Sequence, residues 1–270
     1  MKGRLADVDL AYDVSGASQS PTLLLVHGFP HDRALWAPQM HALSAAYQCV
    51  AVDLRGFGDS SSAPPYSMEQ YADDLAALLD AIGVRRAVIA AISMGGYVAF
   101  AMWRRHADRV SGFVFVDTRA GADSDAVRAR RLECITRVQA EGVSAVSESL
   151  VSDQLGTTTR ARHPELESTV IAMARRQSEN GLVGALTAAL ARPDASDTLC
   201  TITVPTMFVV GDEDTIAPRA EAERMHALVP GSRLEVIRGA GHLSNLERPA
   251  AFNAVVSEWA ATVCDAAPAP

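Results

Sequence analysis

The sequence predicts an α/β protein with a mostly parallel central sheet, flanking helices and one helical insertion. Three observations predict it. Short apolar runs alternate with helical patterns along most of the chain, as expected of strands buried on both faces and joined by covering helices. The alternation stops across residues 119–203, a stretch rich in Ala, Arg, Glu and Leu and too long for a plain connection. It then resumes and runs to a C-terminal helix. At 270 residues, 49% hydrophobic, the chain is long enough to bury one sizeable core.

The elements follow in order. Residues 4–8 and 10–14 read as a hairpin of edge strands, and the buried runs are 22–27, 49–53, 87–91, 110–117, 206–211 and 234–237. Ser67-Met68-Glu69-Gln70 has the form of a capping box, with Tyr71, Leu75, Leu78, Leu79 and Ile82 following at helical spacing. Gly83 ends that helix. Inside the insertion, residues 126–140 and 168–180 keep helical spacing. Pro249 opens a last helix reaching residue 263, and residues 265–270 read as a frayed tail. The expected organisation is therefore a core of residues 1–118 and 204–270, with 119–203 as a helical cap set between two strands.

A net charge of −8 disfavours nucleic acid or an anionic membrane as partner, because an acidic surface repels phosphate. No apolar run reaches the roughly 20 residues that span a bilayer. The first residues, MKGRLADVDL, lack the apolar stretch of a secretory signal. A cytoplasmic protein is expected. Cys49, Cys134, Cys200 and Cys264 form no CxxC pair and read as reduced, mostly buried structural thiols. There is no HExxH, no phosphate-binding Walker loop and no spaced Cys/His cluster, so neither metal nor organic cofactor is expected.

Four segments carry chemistry. Residues 89–97, IAAISMGGY, pass from an apolar strand into a helix, the context in which a sharp turn lifts a nucleophile above the sheet edge. That turn would present Ser93. Gly95 supplies the small neighbour two residues after it, while Ala91 stands two before it where glycine is usual. A serine that merely caps a helix is the plainer alternative. A second buried strand ends in His27-Gly28-Phe29-Pro30. Backbone N–H groups there and at the helix start could hold a developing oxyanion, with Phe29 and Met94 as the donors, since Pro30 has no N–H. His27 reads as a strand-end histidine bonded to its own loop rather than a base. His31 and Asp32 read as surface or rim residues. A third strand runs into Asp212-Glu213-Asp214, which is either a solvated acidic turn or the source of an orienting carboxylate. Lastly, Arg238-Gly239-Ala240-Gly241-His242 follows the last strand, with glycines shaping a loop that presents the ring. The order Ser, Asp, His on this strand pattern is hard to reach by accident.

These segments, with Asp53-Leu54-Arg55-Gly56-Phe57-Gly58-Asp59-Ser60, resemble the α/β-hydrolase family over almost the whole chain. The likeness is to its small capped serine esterases and lactonases, related to 3-oxoadipate enol-lactonase-like proteins. The resemblance implies an α/β-hydrolase fold and a carboxylic ester hydrolase acting on a small-molecule ester or lactone. It implies Ser93 as nucleophile, His242 as base and Asp214 as acid, with Asp117 in reserve because some members place the acid at the end of that earlier strand. It also implies that the Asp53–Ser60 loop is structural.

Relatives with other chemistries are distinguished in part. Epoxide hydrolases and haloalkane dehalogenases use an aspartate where this chain has Ser93. Hydroxynitrile lyases bring a lysine near the histidine, whereas Leu243-Ser244-Asn245 follows His242. C–C hydrolases usually place a tryptophan after theirs. Perhydrolase or haloperoxidase side activity on the same triad stays open, as does a catalytically silent binding protein. For the pocket the candidates are Trp36, Leu132, Ile135, Leu150, Met173 and Leu186, each of which could equally be core. Arg128, Arg130 and Arg131 could attract a substrate carboxylate, or form a solvated helix face.

Overall fold

The structure, a computed structural model, describes residues 2–5 and 8–265. The tail after residue 265 lies outside the described residues, as does the side chain of Cys264. Eight strands form one sheet in the order β1-β2-β4-β3-β5-β6-β7-β8. They are β1 (Lys2–Leu5), β2 (Val8–Ser15), β3 (Thr22–Val26), β4 (Gln48–Val52), β5 (Ala87–Ile92), β6 (Val110–Val116), β7 (Thr206–Gly211) and β8 (Arg233–Ile237). β1 and β2 pair antiparallel, β2 runs antiparallel to β4, and every other pairing is parallel. The hairpin turns between Leu5 and Val8, earlier than the break after residue 8 expected from sequence, because Leu5 pairs with Val8 across it.

Strands β3, β4, β5 and β7 are buried at every position. The reason is that helices cover both sheet faces. α2 (Met68–Ala81), α3 (Met94–His106) and the apolar residues on their side form one core cluster. On the other face lie α1 (Ala37–Leu43) and α12 (Pro249–Asp265). α2 starts where Ser67 accepts a hydrogen bond from the Gln70 N–H at 3.0 Å, and it ends ahead of Gly83 at φ +71°.

Between β6 and β7 stand six helices: α4 (Asp125–Glu141), α5 (Val143–Val151), α6 (Thr157–Arg162), α7 (Glu165–Arg175), α8 (Glu179–Ala191) and α9 (Ser196–Leu199). The continuous helix expected over residues 168–180 is broken between α7 and α8. Ser178 leaves helical geometry to cap α8, accepting from the Gly181 N–H, and the buried Gln177 turns inward to bond Asp32 and Gly58. α10 (Arg219–Leu228) and the short α11 (Ser244–Glu247) complete the chain. Among the described residues no helix is long and apolar enough to cross a membrane.

Candidate active site

Ser93 sits between β5 and α3 at φ +54°, a left-handed conformation that a non-glycine residue adopts only under constraint. Three hydrogen bonds impose it. The Ser93 N–H donates to Val116 O at 2.9 Å, and Ser93 O accepts from the Gly96 N–H at 2.9 Å and from Thr118 Oγ1 at 2.7 Å. Crossing of helix and strand leaves no room beside the turn. A Cβ on Gly95 would lie 2.6 Å from Val26 O, and one on Gly28 would lie 2.9 Å from the Ser93 Cβ. Ala91 is fully buried in β5, between its partners Val26 and Phe115. Its methyl group is accommodated, and the turn keeps its shape.

The Ser93 hydroxyl meets His242 Nε2 at 2.7 Å, and His242 Nδ1 meets Asp214 Oδ2 at 2.8 Å. The other Asp214 oxygen accepts the N–H groups of Ile216 and Ala217 at 2.8 and 2.9 Å. Those bonds fix the carboxylate, which in turn fixes the ring with Nδ1 as donor and Nε2 as acceptor. Burial of His242 disfavours its cation, but the Asp214 carboxylate outweighs this and holds the imidazolium above its ordinary range. Burial would raise the Asp214 carboxyl, yet His242 and the backbone donors keep it below its ordinary value.

The acidic trio divides its tasks. Asp212 accepts the Gly239 N–H at 2.6 Å, and Glu213 accepts from Thr157 and from both the backbone and hydroxyl of Thr158. Only Asp214 faces the imidazole. Asp117 ends β6 at φ +44°, fully buried, but its oxygens point elsewhere. One accepts the Gly211 N–H at 2.8 Å and the other the Ser244 N–H and hydroxyl at 3.0 and 2.6 Å. The reserve acid therefore braces the loops behind the histidine. His27 is likewise occupied: Nδ1 donates to Gly28 O and Nε2 accepts the Leu54 N–H. That bond joins the Phe29 loop to the Asp53–Ser60 loop, whose Asp53 accepts the N–H groups of Arg33 and Asp59.

A cavity of about 770 Å³ opens over Ser93 and His242. Phe29 and Met94 line its floor, and Met94 opens α3, where the first N–H groups have no partner within the helix. Leu150, Leu186, Val127 and Ile216 give it apolar walls. Of the sequence candidates, Leu150 and Leu186 line it and the others do not. Trp36 is fully buried against Phe252, in the core cluster that holds α1 and α12. Met173 is packed in that same cluster. Leu132 is 55% exposed and turned to solvent, and Ile135 lies one turn along the same helix, off the cavity wall. His31 and Asp32 are buried, not rim residues: His31 bonds Gln154, and Asp32 pairs with Arg176 and Gln177.

The arginine run divides as well. Arg128 is exposed and reaches Leu190 O, whereas Arg130 and Arg131 line the cavity with Arg119. Arg131 is pinned by Asp123, with Nε 2.7 Å from its carboxylate. Among the thiols Cys49 is buried, Cys134 is half-buried on the cavity wall and Cys200 is exposed, so burial is less general than expected. Burial pushes the Cys134 thiol up, away from thiolate chemistry. The sequence also gave no notice of Tyr97, Thr215, Asp153 or Gln154 as cavity residues. Only Tyr97 carried a signal, since it stands four residues after Ser93 on the same helix face. Among the described residues no cluster of His, Cys, Asp or Glu could hold a metal ion.

A strand–serine–helix turn, a histidine loop after the last strand and an acid after the penultimate one define a class of protein. Residues 21–249 match the family model of the alpha/beta hydrolase fold, and the chain belongs to that family. More particular likenesses lie within it. The chain is 25% identical over 254 residues to 3-oxoadipate enol-lactonase 1 of Acinetobacter baylyi, covering 94% of each. A thermophilic esterase from Thermogutta terrifontis, solved with malate bound, superposes with a TM-score of 0.93 at 35% identity, over 98% of both chains. The enol-lactonase from Burkholderia xenovorans LB400 follows at 0.89 and 27%, over 97% of this chain and all of the other.

Proposed function

We propose that this chain hydrolyses carboxylic esters or lactones through an acyl-enzyme on Ser93, with His242 as base and Asp214 as orienting acid. The observation that carries the reading is the unbroken line from the Ser93 hydroxyl to His242 Nε2 and from His242 Nδ1 to Asp214, at 2.7 and 2.8 Å, on the floor of a cavity. The enol-lactonase and esterase relatives support the same chemistry.

His242 Nε2 takes the hydroxyl proton as Ser93 Oγ bonds the carbonyl carbon, and the carbonyl π pair moves onto oxygen. N–H groups of Phe29 and Met94 are the donors assigned to that oxyanion. Collapse expels the alkoxide, which His242 protonates; from a lactone the new hydroxyl stays on the acyl chain. Water then gives its proton to His242 and attacks the ester carbon, returning the acid and Ser93. In this reading α4 to α9 act as a cap that roofs the reacting centre. With Arg131 paired to Asp123, Arg119 and Arg130 against the carboxylate of Asp153 leave the cavity a positive balance, which suits a substrate with an anionic group.

The test is Ser93→Ala with a fluorophosphonate label. Wild type should be labelled at Ser93 and should hydrolyse p-nitrophenyl esters; the folded variant should do neither. Ester turnover that survives the substitution would overturn the proposal.

A further inference from the structure

Gln154 lies in the turn after α5, buried, and lines the cavity. It belongs to the helical insertion, yet it makes bonds to two of the loops that carry the reaction. Its carbonyl accepts the His242 N–H at 2.8 Å. Its side-chain Nε2 donates to Phe29 O at 3.2 Å, and Oε1 accepts from His31 Nε2 at 2.6 Å. The amide orientation follows from these partners, because a carbonyl oxygen needs a donor and the neutral imidazole supplies one N–H.

The surrounding residues extend the same clamp. Gly156 donates its N–H to Glu247, whose other oxygen accepts the Gly241 N–H just before His242. Thr157 and Thr158 hold Glu213, next to Asp214. The chains cross closely here: a Cβ on Gly241 would stand 2.4 Å from Gly156 N. Bonds of this kind matter to rate because donors misplaced by about 1 Å cost on the order of a hundredfold.

Resting on the acyl-enzyme reading above, we propose that Gln154 is a positioning residue whose side chain sets the Phe29 loop for the oxyanion while its backbone sets His242. The helical insertion then serves as part of the catalytic frame as well as a roof. Its side chain touches neither the reacting oxygen nor Ser93, so its effect runs through Phe29.

A second buried glutamine supplies the control. Gln177 also bridges insertion and core, donating to Asp32 at 2.9 Å and accepting the Gly58 N–H at 2.8 Å, but it does not line the cavity. Gln154→Ala and the volume-matched Gln154→Met are compared with Gln177→Ala for Tm, kcat/KM on a p-nitrophenyl ester, and two inhibitors. One inhibitor is a trifluoromethyl ketone, which becomes an oxyanion on Ser93; the other is its carbinol, which cannot. All three variants should lose some Tm. Only the Gln154 variants should lose about ten- to fifty-fold in kcat/KM and in ketone affinity, with carbinol affinity held. Should their kcat/KM match that of Gln177→Ala, or ketone and carbinol weaken alike, the positioning role is overturned. Ser93→Ala, run in parallel, separates the two failures: turnover that survives it overturns the acyl-enzyme reading, whereas turnover lost there but unchanged in the Gln154 variants overturns the positioning role alone.

Discussion

Asp117 and Asp214 follow the neighbouring strands β6 and β7 and both lie buried beside His242, but only Asp214 bonds the imidazole. The two carboxylates shape each other. Burial, and after it the Asp214 charge, pushes the Asp117 carboxyl up, while three donors from Gly211 and Ser244 hold it in place. Asp214→Asn should therefore cost about 10³- to 10⁴-fold in kcat, because an amide would favour the wrong imidazole tautomer. Asp117→Asn should act mainly on stability. Its NH₂ must face a Gly211 or Ser244 donor, a mismatch of about 1–3 kcal/mol that thermal or urea unfolding would read. A larger kcat loss for Asp117→Asn than for Asp214→Asn would reverse the assignment.

The pH profile follows from the same pair. In the proposed mechanism His242 must be neutral to take the serine proton, and Asp214 keeps its imidazolium above the ordinary 6.5 despite burial. Activity should thus fall as pH drops through a value above 6.5. In Asp214→Asn the residual activity should show that limb moved to lower pH, since the raising charge is gone. The contribution of Asp214 to stability is lost in the same direction, at lower pH. Asp214 is held below its ordinary 3.8, so its contribution is present above that pH and is lost as pH falls further. A pH series of kcat/KM and of Tm reads both.

The strand–turn–helix around Ser93 was legible because its causes are local: a buried run, small residues and a helix start within nine positions. The order of strands and the loop glycines before His242 were legible for the same reason. Cavity walls were not. The spacing of α4 is helical whichever side faces inward, and only Val138 on it is buried. What turns Arg131 toward the cavity is Asp123, eight residues earlier and outside the helical pattern. Trp36 and Met173 look like pocket residues in sequence, yet both are packed into the core cluster of α1 and α12. Gln154 gave no signal at all, because its partners Phe29, His31 and His242 are far away along the chain.

Arg130 offers a test of substrate charge. It is exposed at the cavity wall, whereas Arg131 is engaged by Asp123. Arg130→Ala should leave turnover of neutral esters near wild type. For an ester carrying a free carboxylate it should raise KM about three- to five-fold, the range for one solvent-exposed charge, and added salt should shrink the difference. Equal effects on neutral and anionic esters would remove the arginine from substrate selection.

The two small residues flanking Ser93 should differ in their effect on turnover. Gly95→Ala brings a methyl within 2.6 Å of Val26 O and 2.8 Å of His27 O, both backbone atoms of the central strand and its exit. Neither can rotate aside, so α3 must shift and carry Ser93 away from His242. A loss of about 1–3 kcal/mol from overpacking is expected, with kcat/KM falling at least about a hundredfold from the displaced nucleophile. Ala91→Gly instead removes one buried methyl from a strand whose neighbours Val26 and Phe115 already hold its backbone. Its cost should be about 1–2 kcal/mol from lost burial and added chain freedom, with kcat/KM near wild type. Unfolding curves and initial rates on one ester separate the two. The hydrogen bonds to Val116, Gly96 and Thr118 hold Ser93 at φ +54° whether residue 91 is alanine or glycine, so a gain in turnover from Ala91→Gly would mean that the methyl strains the turn after all.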